Sequence, residues 1–166
     1  MKAIFLFPVF TLIISHGDAQ LVPKKKCDDF HVDVLTGKIN GVRPDHTMGL
    51  IKDKLPCYTG SEPEQSNSKC GGTIVFNDRG VIFYTERNYV EINSNFKGTL
   101  SVPLLGSARN SLYKWLGHPK LKDDSWDAFQ SAYGFIILHY NNSGKVYLIQ
   151  LTTESTQTLK LCEQSR

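Results

Sequence analysis

Residues 135–152 read FIILHYNNSGKVYLIQLT, and this stretch decides the fold class. Phe135 to Tyr140 and Val146 to Thr152 are runs of aliphatic, β-branched and aromatic residues. Between them, Asn141-Asn142-Ser143-Gly144 supplies residues that tolerate left-handed turn angles. Two such runs around a short turn-forming connection predict a β-hairpin. The connection is too short for a parallel return, which needs a crossover of roughly a dozen residues or more.

The same texture recurs upstream, from Gly71 to Pro103. Thr73 to Phe76, Val81 to Thr85, Tyr89 to Ile92 and Thr99 to Val102 are β-branched or aromatic runs bounded by Gly, Asn, Asp or Pro. With a turn at Asn77-Asp78-Arg79-Gly80, they predict consecutive antiparallel strands. Between this meander and the hairpin, Leu112, Trp115 and Leu116 recur at helical spacing within Ser107 to Leu116, ahead of Gly117 and Pro119. That spacing predicts one short helix. A second helical turn is expected from an Asp124 or Ser125 cap, with Trp126, Phe129 and Tyr133 on one face up to Gly134. Thr158 to Cys162 is a candidate last strand.

The stretch from Gln20 to Cys70 is less regular. It holds Pro23, Pro44, Pro56 and Pro63, and only His31 to Leu35 alternates as a strand should. Gly60 to Ser68 is built of turn formers and polar residues and predicts an exposed loop. Together these segments predict a mainly β (α+β) fold, an antiparallel β-sandwich or partly open barrel with one or two short helices, stapled by disulfides.

The first nineteen residues predict export. Lys2 precedes an apolar run from Ala3 to Ser15, and Gly17-Asp18-Ala19 places small residues where a signal peptidase reads them. Cleavage after Ala19 is expected, since the run falls short of the roughly 18 to 20 residues of a membrane span. The chain is therefore read as a signal peptide over 1–19 and a single secreted β-rich domain over 20–166. With 40% hydrophobic and 11% aromatic residues, the chain carries too much apolar material to stay disordered. A formal net charge of +3 is too small for a nucleic-acid reader. Its tight cluster, Lys24-Lys25-Lys26, is read as a solvated tail.

The four cysteines, Cys27, Cys57, Cys70 and Cys162, all follow the leader, and an even number in an exported chain reads as two disulfides. No Cys-x-x-Cys pair suggests a metal or redox centre. The favoured connectivity is Cys57 with Cys70, closing the polar loop, and Cys27 with Cys162, tying the ends together. Cys27 with Cys57 and Cys70 with Cys162 is the competing pattern.

Asn141-Asn142-Ser143 is an N-glycosylation acceptor at the tip of the predicted hairpin, so Asn141 is the expected glycan site. His31, His46, His118 and His139 are scattered without metal-ligand spacing, and Asp28, Asp29, Asp33 and Asp45 read as surface. Ser94, Ser101, Ser107 and Ser131 lack a Gly-x-Ser-x-Gly elbow. The carboxylate pairs Asp123-Asp124 and Glu62-x-Glu64 fall in polar turns, where nothing promises burial. Trp115 and Trp126 are expected in the core. No catalytic, metal or cofactor site is assigned.

Trp126-Asp127 through Tyr133 to Leu138, followed by a turn and the strand Val146 to Ile149, is similar to the strands after the second conserved motif of lipocalins. The Gly-x-Trp that opens a lipocalin barrel is missing, and the first fifty mature residues hold few strands. The leading expectation is a secreted extracellular binding or matrix-type protein without catalysis, with an unknown extracellular partner, no nucleic acid and no membrane span. A lipocalin-like carrier of a small apolar ligand is the alternative, and a secreted hydrolase the second.

Overall fold

The computed structural model describes residues 26–65 and 70–162. The predicted leader, Gln20, Lys24, Lys25 and the tip of the predicted 60–68 loop lie outside them. The described chain forms β1 (Phe30–Asp33), β2 (Lys38–Ile39), α1 (Met48–Lys54), β3 (Gly60–Glu62), β4 (Thr73–Phe76), β5 (Val81–Tyr84), β6 (Tyr89–Asn93) and β7 (Gly98–Leu100). There follow α2 (Tyr113–Leu116), β8 (Leu121–Lys122), β9 (Trp126–Gln130), β10 (Phe135–Tyr140) and β11 (Val146–Thr152).

The strands make an eight-stranded antiparallel sheet in the order β3-β4-β5-β6-β11-β10-β9-β8, and a small sheet in the order β2-β1-β7. Two meanders thus meet at the β6–β11 seam. Because strand order is not consecutive across that seam, the sheet does not follow the up-and-down order of a lipocalin barrel. Its ends, β3 and β8, do not pair with one another, so it stays open.

Alternation explains the layering. Phe76, Val81, Ile92, Ile149 and Leu138 are direct cross-strand partners in succession, and Ile74, Phe83, Val90, Leu151, Ile136 and Phe129 form the parallel row. Both rows belong to one buried cluster with Phe30, Val32, Ile39 and Ile51, so the small sheet and α1 cover this inner face. Phe30 meets Phe76 edge-on at 5.1 Å between centroids. A side chain of this size contributes roughly 1.5–3 kcal/mol when fully buried.

The turn at Asn77–Gly80 forms as predicted. Gly80 sits at φ +68°, and a Cβ there would meet Asn93 Oδ1 at 2.6 Å and Phe96 N at 2.8 Å, so the turn needs glycine. The hairpin β10–β11 has the bounds read from sequence, with a register shift at His139/Tyr140.

Several expectations are corrected. The predicted helical turn at 124–134 is strand β9. Trp126 and Phe129 suit either period, but β10 offers a complementary edge, and five residue pairs register along it. Thr99 to Val102 does not continue the meander; Gly98–Leu100 leaves the large sheet and pairs parallel with β1. The proline-rich first stretch holds α1, where Thr47 Oγ1 accepts from Leu50 N at 3.3 Å as an N-cap. The predicted helix at 107–116 shrinks to α2 preceded by a 3₁₀ turn, Arg109–Ser111. Residues 158–162 form no strand.

The disulfides are Cys27–Cys57 and Cys70–Cys162, with Cα separations of 5.4 and 5.1 Å. The favoured connectivity is therefore replaced by its competitor. Cys27 precedes β1 and Cys57 follows α1, two elements that pack together on the inner face, whereas Cys70 and Cys162 lie on the outer side. No described helix is long and apolar enough to cross a membrane.

Candidate functional site

The outer face of the large sheet carries the alternate residues. One row crosses all eight strands as Gly60, Val75, Ile82, Glu91, Gln150, Ile137, Ala128 and Leu121. A face that were simply solvated would carry polar residues here. Instead the β8 half is apolar, Glu91 and Gln150 are buried in the middle, and the segment after β11 lies across the sheet.

That segment, Thr153 to Cys162, is a tail tied down at several points. Asn88 Nδ2 donates to Glu154 Oε1 at 2.7 Å, and Arg87 donates to the Lys160 carbonyl at 3.1 Å. Cys162 N donates to Tyr89 Oη at 2.9 Å, beside the Cys70–Cys162 disulfide. Tyr89 stacks on Tyr84 at 4.5 Å and 15°, forming the pad on which the tail end rests. Burial pushes the Tyr89 phenol well above its ordinary titration range, so it stays protonated.

Between tail and sheet lies a half-open cleft of about 380 Å³. Its floor is Leu121, Ala128 and Ile137 of the eight-strand row; Trp126, Phe135 and His139 rise beside them, and Leu159 and Leu161 form the tail-side wall. The volume falls within the roughly 300–1,000 Å³ of small-molecule sites, which are mostly apolar with few placed polar groups.

Those polar groups form a relay. His139 lies diagonal to Gln150 across the β10–β11 ladder, and its Nε2 meets Gln150 Oε1 at 2.9 Å. Gln150 Nε2 donates to Glu91 Oε1 at 2.9 Å, and Tyr84 Oη reaches Glu91 Oε2 at 3.4 Å. Burial raises the Glu91 pKa, opposed by the bonds from Gln150 and Tyr84 and by the nearby His139. The glutamine stands between histidine and carboxylate.

A second polar cluster closes the inner face. Asp127 is fully buried, and Arg109 holds it through Nε at 2.9 Å and through Nη2, while Tyr140 Oη donates to it at 2.8 Å. Arg109 also donates to the carbonyls of Asp123 and Asp124 and lies 4.7 Å from the Tyr140 ring centroid. The hydrogen bond to Asp127 raises the arginine's pKa, and burial, with the carboxylate beside it, raises that of Tyr140. All three are locked together, as a structural brace between the α2 region and β9–β10.

The residues weighed from sequence fall as follows. Asn141 is exposed at the hairpin tip, and its Oδ1 accepts from Ser143 N and Lys145 N, both at 3.0 Å. His31 bonds Thr99 Oγ1, and His46 Nδ1 accepts from Arg43 N. His118 lies 5.6 Å from the Tyr113 ring centroid. Ser101 Oγ accepts from Val34 N and Ser107 Oγ donates to the Pro103 carbonyl, both serving loop backbone. Neither tryptophan is in the core: Trp115 is exposed beneath Lys114, and Trp126 is part-buried in the cleft. Strand β9 turns Trp126 outward, which a helix would not have done. Among the described residues no three His, Cys, Asp or Glu side chains group to hold a metal.

Sequence reading passed over Glu91 and Gln150. The available signal was a polar residue between apolar neighbours in each strand, which alternation alone assigns to solvent. Comparison with family models, with curated proteins and with solved structures finds no match to this chain.

Proposed function

We propose that the chain is a secreted, non-catalytic binding protein that holds a small apolar molecule in the cleft between the outer sheet face and the C-terminal tail. The observation that carries this reading is the apolar lining itself: a sheet floor and a tail wall made of Leu121, Ile137, Leu159 and Leu161, left unfilled. The leading expectation of a binding protein and the alternative of small-ligand carriage thus converge on one site, although the sheet order is not a lipocalin's. The hydrolase reading gains less support. The cleft's histidine reaches an amide, and the buried carboxylate beyond it serves to orient that amide. Export is supported by the leader-like first nineteen residues and by two disulfides, which persist in oxidising compartments.

The test is binding of a neutral apolar fluorophore, N-phenyl-1-naphthylamine, to protein recovered from the medium of expressing cells. Saturable binding with quenching of Trp126 is expected, and Ala128→Phe, which fills the floor, should remove it while leaving the unfolding temperature near that of the parent. Absence of saturable binding to the folded parent protein overturns the ligand reading. An intact mass that still contains residues 1–19 overturns the secreted one.

A further inference from the structure

The cleft's polar relay does more than fill space, because its hydrogen-bond directions are fixed from the buried end. Glu91 accepts from Gln150 Nε2, so the amide must turn its Oε1 toward β10. That oxygen can only accept, and the ring nitrogen facing it at 2.9 Å, His139 Nε2, must therefore be the protonated one. In a neutral imidazole the other nitrogen, Nδ1, is then a bare acceptor. Among the described residues His139 has no further hydrogen-bond partner, its remaining contact being the Tyr147 ring at 6.4 Å. His139 lies in the cleft wall beside Ile137 and Trp126. The site therefore combines an apolar trough with this acceptor and the Thr156 hydroxyl on the tail side, and its lining holds no lysine or arginine.

We infer that the cleft selects neutral amphipathic molecules carrying a hydroxyl group, a long-chain alcohol or a phenol, whose O–H donates to His139 Nδ1 while the hydrocarbon body lies along Leu121, Ala128 and Leu161. This rests on the ligand reading above and gives it a ligand class. A fatty carboxylate is disfavoured: it brings only acceptors to His139 Nδ1, and a full charge to a mostly apolar lining without lysine or arginine. An ether of the same length fills the trough but cannot donate.

Displacement of N-phenyl-1-naphthylamine by 1-decanol, decyl methyl ether and decanoate at pH 7.5 tests this. Decanol should bind about tenfold more tightly than the ether and more tightly still than decanoate, the size of effect that a single good hydrogen bond supports. In His139→Phe the ether should keep its affinity within about twofold and the decanol advantage should vanish. In Glu91→Gln, where the second amide no longer fixes the direction of Gln150, the advantage should shrink while the ether is unaffected. Equal binding of decanol and ether in the parent protein, tighter binding of decanoate, or an alcohol preference that survives His139→Phe would each overturn the hydroxyl assignment and leave the apolar cleft standing. If the fluorophore itself does not bind, the ligand reading has failed first, and the two failures are told apart.

Discussion

Replacing Cys70 and Cys162 together by serine should both destabilise the fold and abolish the cleft, whereas replacing Cys27 and Cys57 should only destabilise. The Cys70–Cys162 bond closes a separation of 92 residues and Cys27–Cys57 one of 30. Chain-entropy reasoning gives about 4.5 and about 3.5 kcal/mol at 25 °C for loops of these sizes, so the long crosslink should matter more by about 1 kcal/mol. The local consequence differs more sharply. Without its disulfide, the tail is held by the hydrogen bonds that Asn88 and Arg87 donate to it and that Tyr89 Oη accepts from it, worth roughly 1 kcal/mol each. Ordering about ten backbone residues costs on the order of 10 kcal/mol or more, and the half-buried Leu159 and Leu161 do not offset that. The tail should therefore detach and take the cleft's wall with it. Urea unfolding followed by circular dichroism measures the stability of each double variant, and fluorophore titration below the transition measures the cleft. Wild-type binding by the Cys70/Cys162 variant would refute the claim that the crosslink builds the site. A larger stability loss for Cys27/Cys57 would refute the loop-length argument.

Arg109→Met should lower stability by about 3–5 kcal/mol, because Asp127 is left buried with only Tyr140 for company; adding Asp127→Asn should recover much of that loss in a double-mutant cycle. Glu91 titrates higher in the folded chain than when unfolded, so the folded state binds its proton more readily; the stability this group contributes is present below the ordinary glutamate range and is lost as pH rises through the raised value. Glu91→Gln should flatten that descending limb in urea midpoints measured from acid to neutral pH, and an unchanged slope would contradict it. Asn141→Asp should remove one glycan's mass from protein recovered from the medium of expressing cells and move stability by no more than about 0.5 kcal/mol, since both turn bonds use Oδ1, which aspartate retains.

The sequence by itself determined the strands whose pattern is strong and local. Thr73–Phe76, Phe135–Tyr140 and Val146–Thr152 match their predicted bounds, because β-branched, aliphatic and aromatic runs bounded by turn formers carry a strong local strand signal. It determined the mainly β class for the same reason, and the oxidised cysteines through their even number behind a leader-like start. Tertiary structure decided what depends on partners distant in the chain. Residues 126–130 suit helix or strand until the edge of β10 is present to pair them, and Gly98–Leu100 joins β1 rather than the meander because Phe30 to Val32 supply a parallel edge distant in the chain. The disulfide pairing followed from which face each cysteine reached. The candidate site was the least legible part. Glu91, Gln150 and His139 come from three strands, and each reads alone as a solvent-facing position. Glu91 and Gln150 are buried and His139 is half-buried on a face across which the tail after β11 returns, and a covering layer leaves no mark on the residues it covers.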